Sequence, residues 1–306
     1  MRRRRGIALV LALLLVAIGT ISIAALIDTS QLALARTRNL LREQQAYAYA
    51  RGLEAWAIEL LRRDQNEDPN RDSRQDLWAR GLPPMEIPGG RLAGRMRDLN
   101  GCFNLNSLLR QGQEDAIGRR RFDRLLVALQ LDPGLSESVL DWIDSDNAPR
   151  ARGAESLSYL LLDPPYRAAN RPLLQVNELR LVRGIDASVY QRLEPHVCAL
   201  PTPSAINVNT ASIPVLMALA DGLSESDARR IYNEGRANFV NVEAFQAQIQ
   251  QLGRSLDGAG EGIGVSSDWF LAETLLELDG IPIHYFSLIE RGTSRSRVRQ
   301  RSRGSF

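Results

Sequence analysis

The sequence predicts an α+β protein in which a large, mostly helical domain interrupts a small antiparallel β-sheet. Two regions that contain strand patterns, residues 65–106 and 265–291, lie on either side of residues 107–264, in which helical patterns dominate. A long helix precedes them, because residues 7–64 lack proline and carry first a continuous apolar run and then apolar residues at helical spacing. With 306 residues, 44% of them hydrophobic, the chain is long enough for more than one compact region.

The helix begins with a segment that predicts a membrane span. Residues 7–27 carry no charge and follow four arginines, Arg2–Arg5. At about 1.5 Å per residue such a helix covers roughly 30 Å, the thickness of a bilayer core. Arginines on the N-terminal side predict a cytoplasmic N-terminus, with everything after the span exported. The alternative is a secretory signal peptide cleaved after Ala24, although this apolar run is longer than a typical signal-peptide core.

Residues 28–64 predict an amphipathic continuation of the same helix. This segment contains a single glycine, and it is polar on one face and apolar on the other. The apolar positions with helical spacing are Leu34, Leu41, Ala48, Leu53, Ala57, Leu60 and Leu61.

Residues 65–106 predict a linker followed by the first strands of the sheet. The polar residues 64–75 end the helix, and residues 82–90, rich in proline and glycine, form a rigid connector before a strand that starts at Arg91. The clearest hairpin lies within residues 265–291, where two apolar runs flank Asp279-Gly280, a favoured two-residue turn. Residues 292–306 contain five arginines and no acid, a composition that predicts disorder.

Within the predicted insert, residues 179–197 resemble residues 216–234. The two segments align with Gly184 opposite Gly222 and Arg192 opposite Arg230. Both are similar to helix-hairpin-helix or SAM-like units, so we expect two such units, at about 107–204 and 205–264. Helix-hairpin-helix units that bind DNA hold a phosphate at the glycine, where this chain places acids that would repel it.

The distribution of charge also argues against nucleic acid as a partner. Every basic residue is arginine, and ten of the 38 arginines lie at the two termini. Residues 7–290 contain the other 28 arginines and all 36 acids, a balance of −8. A nucleic-acid-binding protein needs a basic face.

The two cysteines, Cys102 and Cys198, predict one disulfide bond because the bulk of the chain is expected outside the cytoplasm. Two free buried thiols are the alternative. A zinc site is disfavoured because the sequence has only two histidines and no cysteine pair at zinc-binding spacing.

Acidic residues are concentrated between positions 138 and 172. Asp141, Asp144 and Asp146 lie within six positions, Asn147 follows, and Glu155 comes after a loop containing proline and glycine. Carboxylates held together favour a cation such as Ca²⁺, which takes six to eight oxygen ligands. The spacing is not that of an EF-hand, and a solvated acidic turn is the alternative.

The sequence contains no recognisable catalytic arrangement. It lacks G-x-S-x-G, H-E-x-x-H, P-loop and G-x-G-x-x-G motifs. A hydrolase with Asp144 and Asp146 as paired carboxylates is a weak alternative, because residues two apart on one loop rarely flank a substrate. We therefore expect a protein that is not an enzyme and has no small-molecule substrate.

A short basic leader ending in Gly6, followed by a helix that is first apolar and then amphipathic, resembles the type IV pilin and pseudopilin superfamily. The resemblance implies that a prepilin peptidase removes residues 1–6 by cutting between Gly6 and Ile7, and that Ile7 becomes N-methylated. Superfamily members carry a glutamate at the position of Leu11. This chain lacks that glutamate, and in this respect it resembles the K subunit of type II secretion, a large minor pseudopilin.

This resemblance implies a fold, a location and partners. The fold is a pilin-like head interrupted by the helical insert, anchored in the inner membrane by one pass, with its bulk in the periplasm. The role is to nucleate or cap the tip of the pseudopilus that exports folded proteins, beside the I and J subunits and the major pseudopilin. The alternative function is an exported helix-hairpin-helix DNA-binding protein of a pilus-linked uptake system.

The resemblance also strengthens the expectation of calcium. K subunits bind Ca²⁺ in their helical domain, and Asp-Trp-Ile-Asp-x-Asp followed by Gly-Ala-Glu looks like their pattern. The ligands it implies are Asp144, Asp146 and Glu155, with Asn147 as a further candidate. Relatives often have a second acid where this chain has Ser156.

Overall fold

One helix, α1 (Arg3–Glu67), forms the N-terminal part of the computed structural model, which describes residues 3–292 and 295–304 and only the backbone of residues 3–7. The chain divides into two compact units, residues 1–52 and 53–306. In the first unit α1 is long and apolar enough to cross a membrane, with a mean hydropathy of 2.8 in its most apolar stretch. The predicted continuous helix is confirmed. It ends before Pro69, since the residue preceding a proline disfavours the α conformation.

The second unit contains the end of α1, a five-stranded sheet and a set of short helices. The helices are α2 (Ala116–Ala128), α3 (Leu135–Ile143), α4 (Ser156–Tyr159), α5 (Ala187–Leu193), α6 (Ile213–Ala218), α7 (Glu225–Tyr232) and α8 (Val242–Gln251). The strands are β1 (Leu82–Ile87), β2 (Gly90–Asp98), β3 (Phe103–Asn104), β4 (Leu109–Arg110), β5 (Gln113–Glu114), β6 (Val197–Cys198), β7 (Ile206–Asn207), β8 (Ile263–Gly264), β9 (Trp269–Leu278), β10 (Ile281–Glu290) and β11 (Arg297–Arg303).

The main sheet is antiparallel, with the strand order β1-β2-β9-β10-β11. Strands β9 and β10 form the predicted hairpin and pair along their whole length, from Leu278 opposite Ile281 to Trp269 opposite Glu290. Asp279 and Gly280 both have positive φ angles, 51° and 76°, as a type I′ turn requires. The connector expected at 82–90 is instead mostly strand β1, which tolerates Pro83 and Pro84 because it lies at the edge of the sheet.

Strand β2 pairs with β9, so the sheet is completed by two segments far apart in sequence. The pairing runs from Gly90 opposite Leu278 to Asp98 opposite Phe270. The predicted insertion into the sheet is therefore present. Its limits, however, are residues 99 and 268 rather than 107 and 264, because the chain leaves the sheet directly after Asp98. We call residues 99–268 the helical insert.

The C-terminal tail is not disordered where the structure describes it, and that prediction was wrong. Strand β11 pairs with β10 at the edge of the sheet, and two of its arginines have acidic partners. Arg301 binds both carboxylate oxygens of the buried Glu54, at 2.7 and 2.9 Å, and Arg299 binds Glu290. Composition alone could not reveal these partners. Residues 293, 294, 305 and 306 of the tail lie outside the described residues, as do residues 1 and 2 of the leader.

One large hydrophobic core runs through the helical insert. It contains Phe122 from the first predicted unit and Leu216 and Phe245 from the second, and Phe122 stacks on Phe103 with ring centroids 5.2 Å apart. The two units expected at 107–204 and 205–264 therefore share one core. Gly184 and Gly222 both have positive φ angles, and each precedes a short helix capped by Asp186 or Ser224. Similarity to SAM-like units stays a prediction.

Candidate metal centre

Helix α3 places two carboxylates together at its C-terminal end. Asp141 lies in its last turn and Asp144 is the residue that caps it, three positions later. Residues with this spacing lie on the same face of a helix. Asp141 is completely buried and Asp144 is 5% exposed, so neither carboxylate is well solvated by water.

A loop returns the chain to these carboxylates and adds a third. Glu155 directly precedes α4 and is 3% exposed. Its carboxylate oxygen lies within 4.8 Å of oxygens of both Asp141 and Asp144. We call these three residues the acidic cluster. The loop passes so close that a β-carbon at Gly153 would lie 1.9 Å from Asp141 Oδ2, so glycine is required there.

One arginine partly neutralises the acidic cluster. Arg150 Nη1 donates to Asp141 Oδ1 and to Asp144 Oδ2, each at 2.6 Å, and the backbone N–H of Arg150 donates to Asp141 Oδ2 at 3.1 Å. These carboxylates hold the pKa of Arg150 above its ordinary value. One guanidinium faces three acids, so when all three are ionised two negative charges remain uncompensated.

The remaining oxygens of the acidic cluster have no hydrogen-bond partner. Both carboxylate oxygens of Glu155 and Oδ1 of Asp144 are buried and unpartnered, whereas buried polar atoms are normally paired. Burial, together with the charges of Asp144 and Asp141, raises the pKa of Glu155 to about 7. Burial also raises the pKa of Asp144. Unpaired buried carboxylate oxygens around an excess of negative charge fit Ca²⁺, a hard cation that binds oxygen.

The structure changes the set of candidate ligands. It brings Asp144 and Glu155 together as predicted, but the third acid is Asp141 and not Asp146. Asp146 is exposed beyond the end of α3, where its Oδ1 accepts the N–H of Ala148 at 2.8 Å. Asn147 is also exposed, and its side-chain oxygen accepts from Asn170. The helical spacing of Asp141 and Asp144 was the sequence signal that could have identified the pair. Metal binding itself stays a prediction.

A second group of acids, which the sequence did not indicate, lies at the end of α1. Carboxylate oxygens of Asp64, Asp72 and Asp76 lie within 4.8 Å of one another. Here Arg291 donates to Asp72 and Asp64, and the N–H of Ser267 donates to Asp72 Oδ2 at 2.7 Å. No oxygen of this group is among the buried unpartnered atoms of the described residues. Protein donors already satisfy these acids, so the acidic cluster is the better metal centre.

The other predicted site residues lie in α1 and in the helical insert. Gly6 and Ile7 are part of α1, described there by backbone alone, and Leu11 is exposed on the same helix. Their roles in processing and assembly stay predictions. The disulfide Cys102–Cys198 is present, with Cα atoms 5.9 Å apart, and it joins the region of strand β3 to strand β6, which pair in parallel. The alternative of two free thiols was wrong.

Comparison with known proteins gives a consistent result across the chain. Residues 101–202 and 206–266 match two family models, both described as type II secretion system (T2SS), protein K. The chain is 38% identical to type II secretion system protein K of Pseudomonas aeruginosa, over 90% of this chain and 86% of that protein. It is 31% identical to the protein K of Pectobacterium carotovorum, over 99% and 98% of the two chains.

A solved structure shows the same similarity in three dimensions. It is the crystal structure of the GspK–GspI–GspJ complex from the type 2 secretion system of enterotoxigenic Escherichia coli. One of its chains aligns with a TM-score of 0.74 and 27% identity, over 89% of this chain and 100% of that chain.

Proposed function

Since the chain belongs to the type II secretion system protein K family and is a minor pseudopilin, we propose that it nucleates or caps the tip of the pseudopilus that exports folded proteins across the outer membrane. Family membership sets aside the alternative of a DNA-binding protein of an uptake system. The observation that carries the proposal is the similarity, over 89% of this chain, to a chain crystallised in a GspK–GspI–GspJ complex. The partners would be the I and J minor pseudopilins of its own organism, and the major pseudopilin below them.

The N-terminal helix supports a single-pass anchor in the inner membrane. Residues 7–27 would span the bilayer, with Arg2–Arg5 in the cytoplasm and the second unit in the periplasm. The disulfide supports an oxidising compartment. In this proposal prepilin peptidase cuts after Gly6 and Ile7 is methylated. In the pilin superfamily the glutamate at the position of Leu11 pairs with the N-terminal amine of a neighbouring subunit. Leu11 cannot form this pair, which suits a subunit at the tip.

The helical insert would make the subunit a cap. It leaves and rejoins the sheet at adjacent points, since Leu99 N–H donates to Trp269 O at 2.9 Å. A bulky domain carried on the head would leave no room for another subunit above it, so elongation would proceed only from below. The role is structural and needs no catalytic residue. Ca²⁺ at Asp141, Asp144 and Glu155 would offset the repulsion of the carboxylates and stabilise the insert.

The experiment is to replace residues 101–267 by a short glycine-serine linker, which the adjacent ends of β2 and β9 can accommodate. If the insert caps the pseudopilus, the shortened protein should enter filaments at internal positions and secretion should fall. Co-purification with the I and J subunits separates this effect from misfolding, because the shortened head should still bind them. A shortened protein that binds both partners and still occupies only the tip would contradict the capping role.

A further inference from the structure

The segment directly after the acidic cluster exposes an unusual number of leucines. Leu157 is 81% exposed and Leu161 is 88% exposed, and Leu160 and Leu162 beside them are close to half exposed. Leu181, on a neighbouring segment, is 46% exposed. Single exposed apolar residues are common on protein surfaces, but a contiguous group marks a surface that binds a partner.

Three of these leucines, Leu161, Leu162 and Leu181, line a groove of about 490 Å³, which we call the leucine groove. Two segments line it, one with Leu161 and Leu162 and the other with Arg180, Leu181 and Arg183. Both arginines are exposed, and neither forms an ion pair with a described residue, although Arg180 lies over the ring of Tyr190. None of the described residues that line the groove is acidic. Its walls therefore combine apolar surface with uncompensated positive charge.

Two tyrosine hydroxyls hold the sides of the leucine groove in place. Arg183 N–H donates to the hydroxyl of Tyr159 at 3.1 Å, and the hydroxyl of Tyr166 donates to the carbonyl of Leu181 at 2.8 Å. The rings of Tyr159 and Tyr166 stack, and Tyr159 also packs edge-on against the buried Trp142. These aromatic contacts and hydrogen bonds therefore hold in place the segments that carry the leucines. A groove formed before binding loses little conformational entropy when a ligand enters.

We propose that the leucine groove binds an extended segment of another protein that carries apolar side chains flanked by carboxylates. The apolar side chains would cover Leu161, Leu162 and Leu181, and the carboxylates would pair with Arg180 and Arg183. A segment without acids would leave both arginines unmatched, and one without apolar side chains would leave the leucines in water. The inference rests on the groove alone and goes beyond the capping role.

The test uses the full chain in zwitterionic lipid nanodiscs and a fluorescein-labelled peptide of alternating leucine and glutamate, with binding measured by fluorescence anisotropy. Peptides of leucine and lysine, and of serine and glutamate, are the chemical controls, and empty nanodiscs report binding to lipid. We expect binding of the leucine–glutamate peptide alone. Leu161→Ser, and separately Arg180→Glu with Arg183→Glu, should each weaken it about tenfold or more.

The substituted side chains are exposed, so these variants should fold normally. Val240→Ser is the matched control, because Val240 is 65% exposed and does not line the groove, and it should bind like the wild type. Equal binding of the leucine–lysine peptide, or no binding of the leucine–glutamate peptide, would overturn the proposal. Self-association of the chain that Leu161→Ser abolishes, without peptide binding, would identify a second copy as the occupant and would also overturn it.

Discussion

Arg291 forms a buried ion pair with Asp72, in which the guanidinium contacts both carboxylate oxygens and Nη1 lies 2.8 Å from Oδ1. The pair joins the residue after β10 to the segment that follows α1. Arg291 also donates to the carbonyl of Ser267 at the end of the helical insert and lies over the ring of Phe270. One side chain thus links the long helix, the sheet and the insert within the second unit.

Removing Asp72 should strongly destabilise the second unit. Asp72→Ala leaves the buried Arg291 without its main partner, and breaking a buried pair in this way costs about 3–5 kcal/mol. Urea unfolding of the full chain in mild detergent measures the change. Glu225→Ala is the control, because the Arg229–Glu225 pair is exposed and its loss should cost less than about 1 kcal/mol. Equal effects of the two substitutions would show that the buried pair is not a structural link.

Asp98 should make stability depend on pH. It lies where β2 meets the insert, accepts hydrogen bonds from the backbone N–H of Asn100 and from the hydroxyls of Ser267 and Thr210, and burial raises its pKa to about 6. A raised pKa means that the folded state binds the proton more tightly than the unfolded state. The contribution of protonated Asp98 to the free energy of unfolding is therefore complete below the unfolded pKa of 3.8. It is lost as the pH rises through about 6.

The comparison of wild type with Asp98→Asn isolates this contribution, since the other acids titrate in both proteins. The difference in the free energy of unfolding, wild type minus variant, should fall by on the order of 3 kcal/mol between pH 3.5 and 7, as each pKa unit is worth about 1.4 kcal/mol. A difference that does not change with pH would mean that Asp98 titrates normally.

Calcium should raise the melting temperature of the full chain, and EGTA should reverse the effect. Calcium at about a hundred times its dissociation constant stabilises the folded state by about 2.7 kcal/mol. Asp141→Asn and Glu155→Gln should abolish the response, whereas Asp146→Asn should retain it, because Asp146 is exposed and is not one of the three clustered acids. Loss of the response in Asp146→Asn alone would restore the ligand set expected from the sequence. No response in the wild type would remove the metal site.

The disulfide should contribute substantially to stability. Cys102 and Cys198 are 96 positions apart, and closing a loop of that length is worth about 4–5 kcal/mol in the chain-entropy model. Replacing both cysteines by serine should lower the melting temperature as much as reduction does. A thiol-reactive maleimide should label the unfolded wild-type chain only after reduction. Labelling without reductant would show that the bond does not form in the cell.

The features that local sequence patterns specify were predicted correctly. The long helix follows from apolar residues at helical spacing without proline, and the β9–β10 hairpin follows from two strand patterns around Asp279-Gly280. The inserted topology and the disulfide could be inferred because strand signals and cysteines are few. In each case the signal is a pattern within short segments or the count of one residue type.

What the sequence did not indicate depends on partners that are distant along the chain. Strand β11 was missed because five arginines in a short tail predict disorder unless Glu54, far upstream, is known to be the acceptor of Arg301. The grouping of Asp141 rather than Asp146 with Asp144 and Glu155 was missed for a related reason. The direction of an acidic side chain at the end of a helix depends on where that helix stops, and α3 stops at Ile143.

The pairing of β2 with β9 has a consequence for the order of folding. Strand β2 is synthesised early, but its partner appears only after the whole helical insert, so the central pair of the sheet closes a very long loop. Contacts between such distant segments form slowly, and an unpaired strand edge is prone to aggregation in the meantime. The insert, whose large hydrophobic core is built from its own residues, is expected to collapse first and bring its two ends together. The folded insert would then hold β2 close to β9. Without it, these two strands would have to find their pairing register from distant parts of an unfolded chain.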